Sequence, residues 1–259
     1  EAAITQKTKC IMLAHALGNP FNFEKVRSIC DKHNLWLIED CCDALGTEYR
    51  GQKVGTFGDA ATFSFFGNKT ISTGEGGMIL FSDAQVAEKA RILRDHGMSK
   101  NKRYWHDVVG YNYRLTNMQA AIGVAQMEKF QEILSKKLRI AAFYESALKG
   151  IPGIANLPAI VKETLHSNWL FGVILDEKIN IENVISELLS RGIETRPFFH
   201  TLNSMPPYMD YRTSISLDNS ETISQRGLSL PSSVDLREEE LQTISQNLIH
   251  IIKDNIEKA

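Results

Sequence analysis

Apolar residues recur with two different periods in the first half of the chain, and the alternation predicts strands and helices in turn. Short apolar runs predict strands at residues 10–16, 35–38, 61–66 and 78–81, and residues 49–54 have the pattern of a hairpin turned at Arg50-Gly51. A stripe with helical spacing predicts a helix over residues 23–33 with Asn22 as its N-cap, and a second over residues 86–93 capped by Asp83. This order of apolar strands and helices predicts an α/β fold with a mainly parallel, covered sheet.

The second half has a different organisation. One long helical stripe begins at residue 116 and reaches residue 148 with a single break, and Gly150 to Gly153 then stop it. We therefore expect two domains: a large one of residues 1–149, ending in the long helix, and a smaller α+β one of residues 150–259. In the smaller domain, strands are predicted at residues 169–175 and 193–199, and helices at residues 181–190 and 236–253.

Composition narrows the class of protein. The 259 residues carry 29 Lys+Arg against 31 Asp+Glu, a net charge of −2, so no basic field favours nucleic acid. No apolar run approaches the ~18 residues of a membrane span, so we expect no membrane partner. The four cysteines (residues 10, 30, 41 and 42) and the seven histidines show no metal-ligand spacing. The cysteines are predicted to be small buried residues in a reducing cytoplasm.

The setting of Lys69 points to chemistry. It ends the strand-like run Ser64-Phe65-Phe66-Gly67-Asn68-Lys69 and precedes Gly74-Glu75-Gly76-Gly77. A lysine in apolar surroundings can lose its proton and form an imine with a carbonyl cofactor, and Asp40, after an apolar strand, would supply the anion that a protonated pyridine nitrogen needs. Together they suggest pyridoxal phosphate. The alternatives are a surface lysine, a strand-terminal carboxylate that caps local groups, and a glycine run that is either a phosphate cradle or only a tight turn.

Several strings match a known family. Leu37-Ile38-Glu39-Asp40, Gly55-Thr56-Phe57-Gly58-Asp59, residues 63–69 with residues 73–78, and Gly110-Tyr111-Asn112-Tyr113-Arg114 resemble the DegT/DnrJ/EryC1/StrS sugar aminotransferases, which are fold-type I pyridoxal-phosphate enzymes. The resemblance implies an aspartate-aminotransferase-like fold, here with a partial large domain. It also implies transfer of an amino group from glutamate to a nucleotide-linked 4-keto-6-deoxy sugar, such as GDP-4-keto-6-deoxymannose.

The resemblance also implies roles for individual residues. Lys69 would be the Schiff-base lysine and the acid/base of the proton shift, Asp40 would hold the pyridine nitrogen, and Ser64 would bind the cofactor phosphate. Asn112 would reach the phosphate of a neighbouring subunit's cofactor, which makes the expected active unit a homodimer with a shared site. Asp43 stands near the ring hydroxyl, where relatives often have Gln or Glu.

The chain departs from the family pattern in further places. Relatives usually have proline near Thr201 and histidine near Asn203, in a loop by the sugar site. Relatives also begin about a hundred residues earlier, so we expect a piece of a longer protein or a degraded relative. Two alternatives stay open: a sugar dehydratase, in which histidine replaces the lysine, and an inactive interaction or dimerisation module.

Overall fold

The computed structural model describes residues 1–159, 161–211 and 216–258. Its strands, in chain order, are β1 (Cys10–Ala14), β2 (Trp36–Asp40), β3 (Glu48–Tyr49), β4 (Gln52–Lys53), β5 (Ala60–Ser64), β6 (Gly77–Phe81), β7 (Ile154–Asn156), β8 (Thr164–Leu165), β9 (Phe171–Leu175), β10 (Arg196–Pro197) and β11 (Gly227–Leu230). Its α-helices are α1 (Phe23–His33), α2 (Ala84–Arg94), α3 (Asn117–Glu128), α4 (Phe130–Leu148), α5 (Ile181–Ser190), α6 (Asp218–Arg226) and α7 (Glu238–Lys258). None of the helices in the described part has both the length and the apolar composition of a membrane span.

Packing divides the chain into two compact units. The first comprises Glu1–Leu134 with Lys162–Ser167, and the second comprises Ser135–Val161 with Asn168–Ala259. The domain boundary expected after residue 149 stays a prediction.

The first unit is built on a four-stranded sheet of order β1-β2-β5-β6. β2 is parallel to β1 and to β5, whereas β6 is antiparallel to β5. The sheet is therefore mainly parallel, as predicted, and the carboxyl ends of β1, β2 and β5 lie along one edge. That edge is where open α/β sheets bind ligands. A small antiparallel sheet, of order β4-β3-β8, contains the predicted hairpin at Arg50-Gly51.

Local caps fix the helices that follow these strands. The Asn22 side chain accepts from the Lys25 backbone N–H at the start of α1, and Asn34 ends that helix in the left-handed conformation (φ 53°). Asp83 caps α2, and Thr116 forms a capping box with Gln119 at the start of α3. The predicted break in the long helix lies at Lys129, between α3 and α4.

The second unit has its own core. Its sheet has the order β10-β11-β9-β7, with every neighbouring pair antiparallel. Apolar side chains from this sheet pack against three helices, α4, α5 and α7, and the fully buried members include Tyr144, Leu175, Leu188, Leu228, Leu248 and Ile251.

Some sequence expectations were wrong. The sheet of the first unit is not fully covered, because Met12, Met78 and Ile79 are exposed. Cys10 is exposed rather than buried, since it starts the edge strand β1, and Cys42 is only partly buried. The strand predicted at residues 193–199 shrinks to β10, and the polar segment that forms α6, which buries no side chain, was not predicted at all.

Candidate active site

The end of strand β2 places a carboxylate at the ligand-binding edge of the sheet. Asp40 is the last residue of β2 and stands opposite Ala14 of β1 and Thr62 of β5. Its Oδ1 accepts hydrogen bonds from the Cys42 backbone N–H (3.0 Å) and from the Thr62 hydroxyl (3.3 Å). Asp40 is therefore held in place by the turn that follows it and by the neighbouring strand.

Thr62 and Cys42 complete this environment, and the sequence reasoning did not identify either of them. The Cys42 sulfur lies 3.7 Å from the Thr62 hydroxyl. Burial, together with the hydrogen bond to Asp40, raises the pKa of the Cys42 thiol to about 11. Because only the thiolate is a strong nucleophile, Cys42 acts here as a packing and hydrogen-bonding residue.

The amine of Lys69 reaches the same edge of the sheet. Lys69 follows β5 in a turn, closed by a hydrogen bond from its backbone N–H to the Phe66 carbonyl (3.0 Å). Its Nζ lies 2.6 Å from Asp43 Oδ1, and the two side chains are only 15% and 18% exposed. The other oxygen of Asp43 accepts from the Leu17 backbone N–H (3.3 Å). Asp43 is thus fixed at both oxygens, and Lys69 forms its ion pair with Asp43.

Ser64 and Asn112 occupy different surroundings. Ser64 ends β5, and its Oγ accepts from the Phe66 backbone N–H (3.3 Å), which leaves the hydroxyl proton available to an anion. Asn112 lies in the loop between α2 and α3 with an exposed side chain, whose Oδ1 accepts from Arg114 Nε (3.2 Å). The structure thus brings Asp40, Asp43 and Lys69 to one edge of the sheet, with Ser64 at the end of the adjacent strand, while Asn112 projects from a separate loop.

A second cluster, which is buried, is centred on Glu39, the residue before Asp40 on β2. Glu39 is fully buried, and its two oxygens accept from four donors: His15 Nε2 (3.3 Å) and the backbone N–H groups of Gly55 (2.7 Å), Phe57 (2.8 Å) and Gly58 (2.7 Å). Burial opposes the charge on Glu39, but these hydrogen bonds outweigh it and lower the pKa of the carboxyl.

Glu39, His15 and Cys41 also have ligand atoms within 4.8 Å of one another, a spacing compatible with a metal ion. However, three backbone N–H groups already bond to the Glu39 oxygens, and the remaining hydrogen bond joins Oε2 to His15 itself, so the pair is satisfied without an ion. Burial also raises the pKa of the Cys41 thiol far above its usual range. The cluster is therefore a hydrogen-bonded support for the loop of residues 55–58. Sequence reasoning missed its role, although the alternation of buried positions along β2 gave a signal.

The glycine run after Lys69 forms a turn into β6. Gly74 and Gly76 have positive φ (79° and 143°), and the Gly76 carbonyl accepts from the Phe65 backbone N–H (2.9 Å). The structure thus shows the tight turn, one of the two alternatives for this run.

The donor set has the chemistry that pyridoxal phosphate requires. The amine of Lys69 pairs with the Asp43 carboxylate, the Asp40 carboxylate ends β2, and the Ser64 hydroxyl ends the adjacent strand β5. A shielded amine can attack a carbonyl, a carboxylate can hold a ring nitrogen protonated, and a hydroxyl can donate to a phosphate.

Comparisons with known proteins show the family of the chain. The model of the DegT/DnrJ/EryC1/StrS aminotransferase family matches residues 1–249. The GDP-perosamine synthase of Vibrio cholerae is 42% identical over 243 residues, which cover 93% of this chain and 66% of that protein. The same enzyme of Caulobacter vibrioides is 41% identical over 254 residues, with 97% and 68% covered.

A solved structure gives the same picture. Helicobacter pylori PseC, an aminotransferase involved in the biosynthesis of pseudoaminic acid, superposes with a TM-score of 0.92 at 28% identity, covering 98% of this chain and 69% of that one. The predicted fold of the sugar aminotransferases is therefore confirmed. The chain spans about two thirds of the length of these relatives.

Proposed function

Since the chain belongs to the DegT/DnrJ/EryC1/StrS aminotransferase family, we propose that it acts as a pyridoxal-phosphate-dependent sugar aminotransferase. The proposed reaction transfers the amino group of glutamate to a nucleotide-linked 4-keto-6-deoxy sugar. The relatives named GDP-perosamine synthase support GDP-4-keto-6-deoxymannose as the substrate and the 4-amino sugar as the product. The observation that carries the proposal is the ion pair of the Lys69 amine with Asp43, three residues after Asp40 ends β2 at the ligand-binding edge of the sheet.

Each site residue has a proposed task. Lys69 would hold the cofactor through its amine, and the same amine could take up and return a proton beside the reacting carbon. Asp40, restrained by Thr62 and Cys42, would hold the pyridine nitrogen of the cofactor protonated. Ser64 donates its hydroxyl proton to the phosphate, and Asp43 receives the amine of Lys69 when no covalent bond occupies it. Pyridoxal phosphate, when bound, would supply the electron sink for the carbon that carries the transferred nitrogen.

The proposed active unit is a homodimer with shared sites. Asn112 is exposed, as a residue that reaches a partner's cofactor phosphate must be. α3 supports the same arrangement, because Met118, Ile122, Val124 and Met127 are exposed on it and none of its residues is buried. A helix with that composition is typical of covered surfaces.

The proposed location of the enzyme is the cytoplasm. The four cysteines are free thiols, which suits that reducing compartment.

The cofactor proposal is tested by absorption spectroscopy. The chain is incubated with pyridoxal phosphate, and the band of the lysine-bound cofactor is recorded for the wild type, Lys69→Ala and Lys178→Ala, an exposed lysine outside the site. We expect the band in the wild type and in Lys178→Ala but not in Lys69→Ala, and glutamate should convert it to the amine form. A band that survives in Lys69→Ala would refute the assignment. Absence of any band would leave the chain as an interaction module.

A further inference from the structure

The turn that follows β1, residues 16–18, supplies a backbone donor to Asp43. The Leu17 N–H donates to Asp43 Oδ2 (3.3 Å), while Asp43 Oδ1 lies 2.6 Å from Lys69 Nζ. Leu17 has φ 56° and ψ 12°, in the left-handed region that residues other than glycine adopt uncommonly. A residue stays in that region only where surrounding contacts hold it there. Contacts from outside the turn must therefore fix Leu17.

One of these contacts comes from a residue 149 positions later in the chain. His166 Nε2 lies 3.0 Å from the Leu17 carbonyl oxygen, and the segment Lys162–Ser167 belongs to the first unit, as the turn does. Because a carbonyl oxygen only accepts, His166 Nε2 carries a proton and donates it. Burial lowers the pKa of His166, although the hydrogen bond to Leu17 opposes this effect, so the ring is neutral at pH 7. The two backbone polar groups of Leu17 thus connect a neutral donor, His166, to Asp43.

A pair of buried hydroxyl side chains fixes the same turn. The Thr47 hydroxyl donates to the Gly18 carbonyl (2.8 Å), and Thr47 and Ser167 are both fully buried. The Thr47 oxygen accepts the Ser167 backbone N–H (3.2 Å) and lies 2.9 Å from the Ser167 hydroxyl. His166 is therefore anchored beside the turn by its own neighbour in sequence, which restrains the ring against the Leu17 carbonyl.

We propose that His166 is a positioning residue for the Lys69 amine. Its Nε2–H holds the Leu17 carbonyl, the Leu17 N–H is thereby kept against Asp43, and Asp43 keeps the amine in place. His166 thus acts through Leu17 and Asp43. This inference rests on the proposed function, because an amine that binds a cofactor must be presented at a fixed place.

Chemical modification of Lys69 in the cofactor-free chain tests the proposal. An amine-directed acetylating reagent is applied at neutral pH, and peptide mass spectrometry follows the rate at each lysine. His166→Asn places its amide nitrogen near the position of Nδ1, so the Leu17 carbonyl loses its donor. The rate at Lys69 should then rise about fivefold, the effect of one neutral hydrogen bond.

The matched control is His166→Gln, which places its amide nitrogen near the position of Nε2. It should keep the hydrogen bond to the Leu17 carbonyl, and the rate at Lys69 should stay close to that of the wild type. The exposed Lys178 is the internal reference and should react equally fast in every sample. Equal rates at Lys69 in His166→Asn and His166→Gln would overturn the proposal.

A double-mutant cycle separates positioning from simple packing. In the Asp43→Ala background the amine has lost its carboxylate, so His166→Asn should change the rate at Lys69 no further. An effect of His166→Asn that persists without Asp43 would contradict the proposed connection. Amide exchange of the wild type, followed by NMR, needs no variant: the Leu17 amide should be protected, and exchange as fast as in an unstructured peptide would also overturn the proposal.

The absorption band of the chain with pyridoxal phosphate is recorded on the same samples. If His166→Asn accelerates the modification of Lys69 but even the wild type shows no band, the positioning of the amine stands and the proposed function fails. If the wild type shows the band and His166→Asn leaves the modification rate unchanged, only the positioning role of His166 fails.

Discussion

Replacing Lys137 by methionine should remove a specific pH dependence from the stability of the second unit. Lys137 lies on α4 and is only 8% exposed. Its Nζ donates to the carbonyls of Trp169 (2.9 Å) and Ser232 (2.5 Å), and burial lowers its pKa from 10.5 to about 8. The unfolded chain therefore binds more protons than the folded chain between these values, so the wild type gains stability as the pH rises through this range.

The magnitude follows from the shift. One pKa unit corresponds to about 1.4 kcal/mol, so the wild type should gain roughly 2 kcal/mol relative to Lys137→Met between about pH 7.5 and 9.5. At the lower pH the two proteins should be close in stability. The variant avoids a desolvation cost of about 3 kcal/mol, but it leaves two carbonyls without a donor at about 1–3 kcal/mol each. The informative quantity is therefore the change, between the two pH values, in the stability of the wild type relative to Lys137→Met.

Urea unfolding followed by tryptophan fluorescence measures this difference, because Trp169 is buried in the same unit. Lys178→Met, an exposed lysine of the same unit, is the control and should follow the wild type at both pH values. If wild type and Lys137→Met change in parallel between the two pH values, Lys137 is not a buried ammonium with a lowered pKa, and the reasoning fails.

Three further substitutions test the first unit. Glu39→Gln places an amide NH₂ against two N–H donors and should lower the free energy of unfolding by roughly 3–6 kcal/mol in urea titrations. Because the pKa of Glu39 is lowered from 4.5 in the folded state, the difference from wild type should shrink as the pH falls below 4.5. Thr62→Val removes a donor to Asp40 and should weaken the retention of pyridoxal phosphate about fivefold, measured by dialysis and absorption, with an unchanged far-UV spectrum. Gly97 has a φ of 69°, and the Cβ that Gly97→Ala adds there would collide with the Val108 carbonyl oxygen. Amide exchange at His96 and Asp107 should therefore become faster.

Helices with polar caps could be predicted closely from the sequence. The bounds of α1 and α5 agree with the predicted residues 23–33 and 181–190, because Asn22 and Asn180 cap their first turns. Strands were harder, since an apolar run does not reveal where pairing ends. The run at residues 193–199 pairs only at Arg196 and Pro197, opposite β11, which the sequence analysis did not identify.

The residues of the candidate site also differ in how well the sequence predicts them. Asp40 and Lys69 stand out in sequence because each follows an apolar run, and family strings surround both. Thr62 does not, because its contact with Asp40 depends on the pairing of β2 with β5 across 22 positions of sequence. Likewise, the pairing of His15 with Glu39 depends on the register between β1 and β2. Contacts of this kind follow from the tertiary arrangement and leave little mark on local sequence.

Strand β2 makes the site sensitive to small insertions. Leu37 and Glu39 are buried on one side, while Ile38 and Asp40 alternate with them on the other. One extra residue before Glu39 would exchange the two sides of β2. The Glu39 carboxylate would then lie on the side that now carries Asp40. An insertion at Arg50-Gly51, in an exposed turn, would cost the contacts of Arg50 with Glu163 but would leave the two sides of β2 unchanged. Length variation among natural or engineered versions of this chain should therefore accumulate in the turn and be absent from the strand.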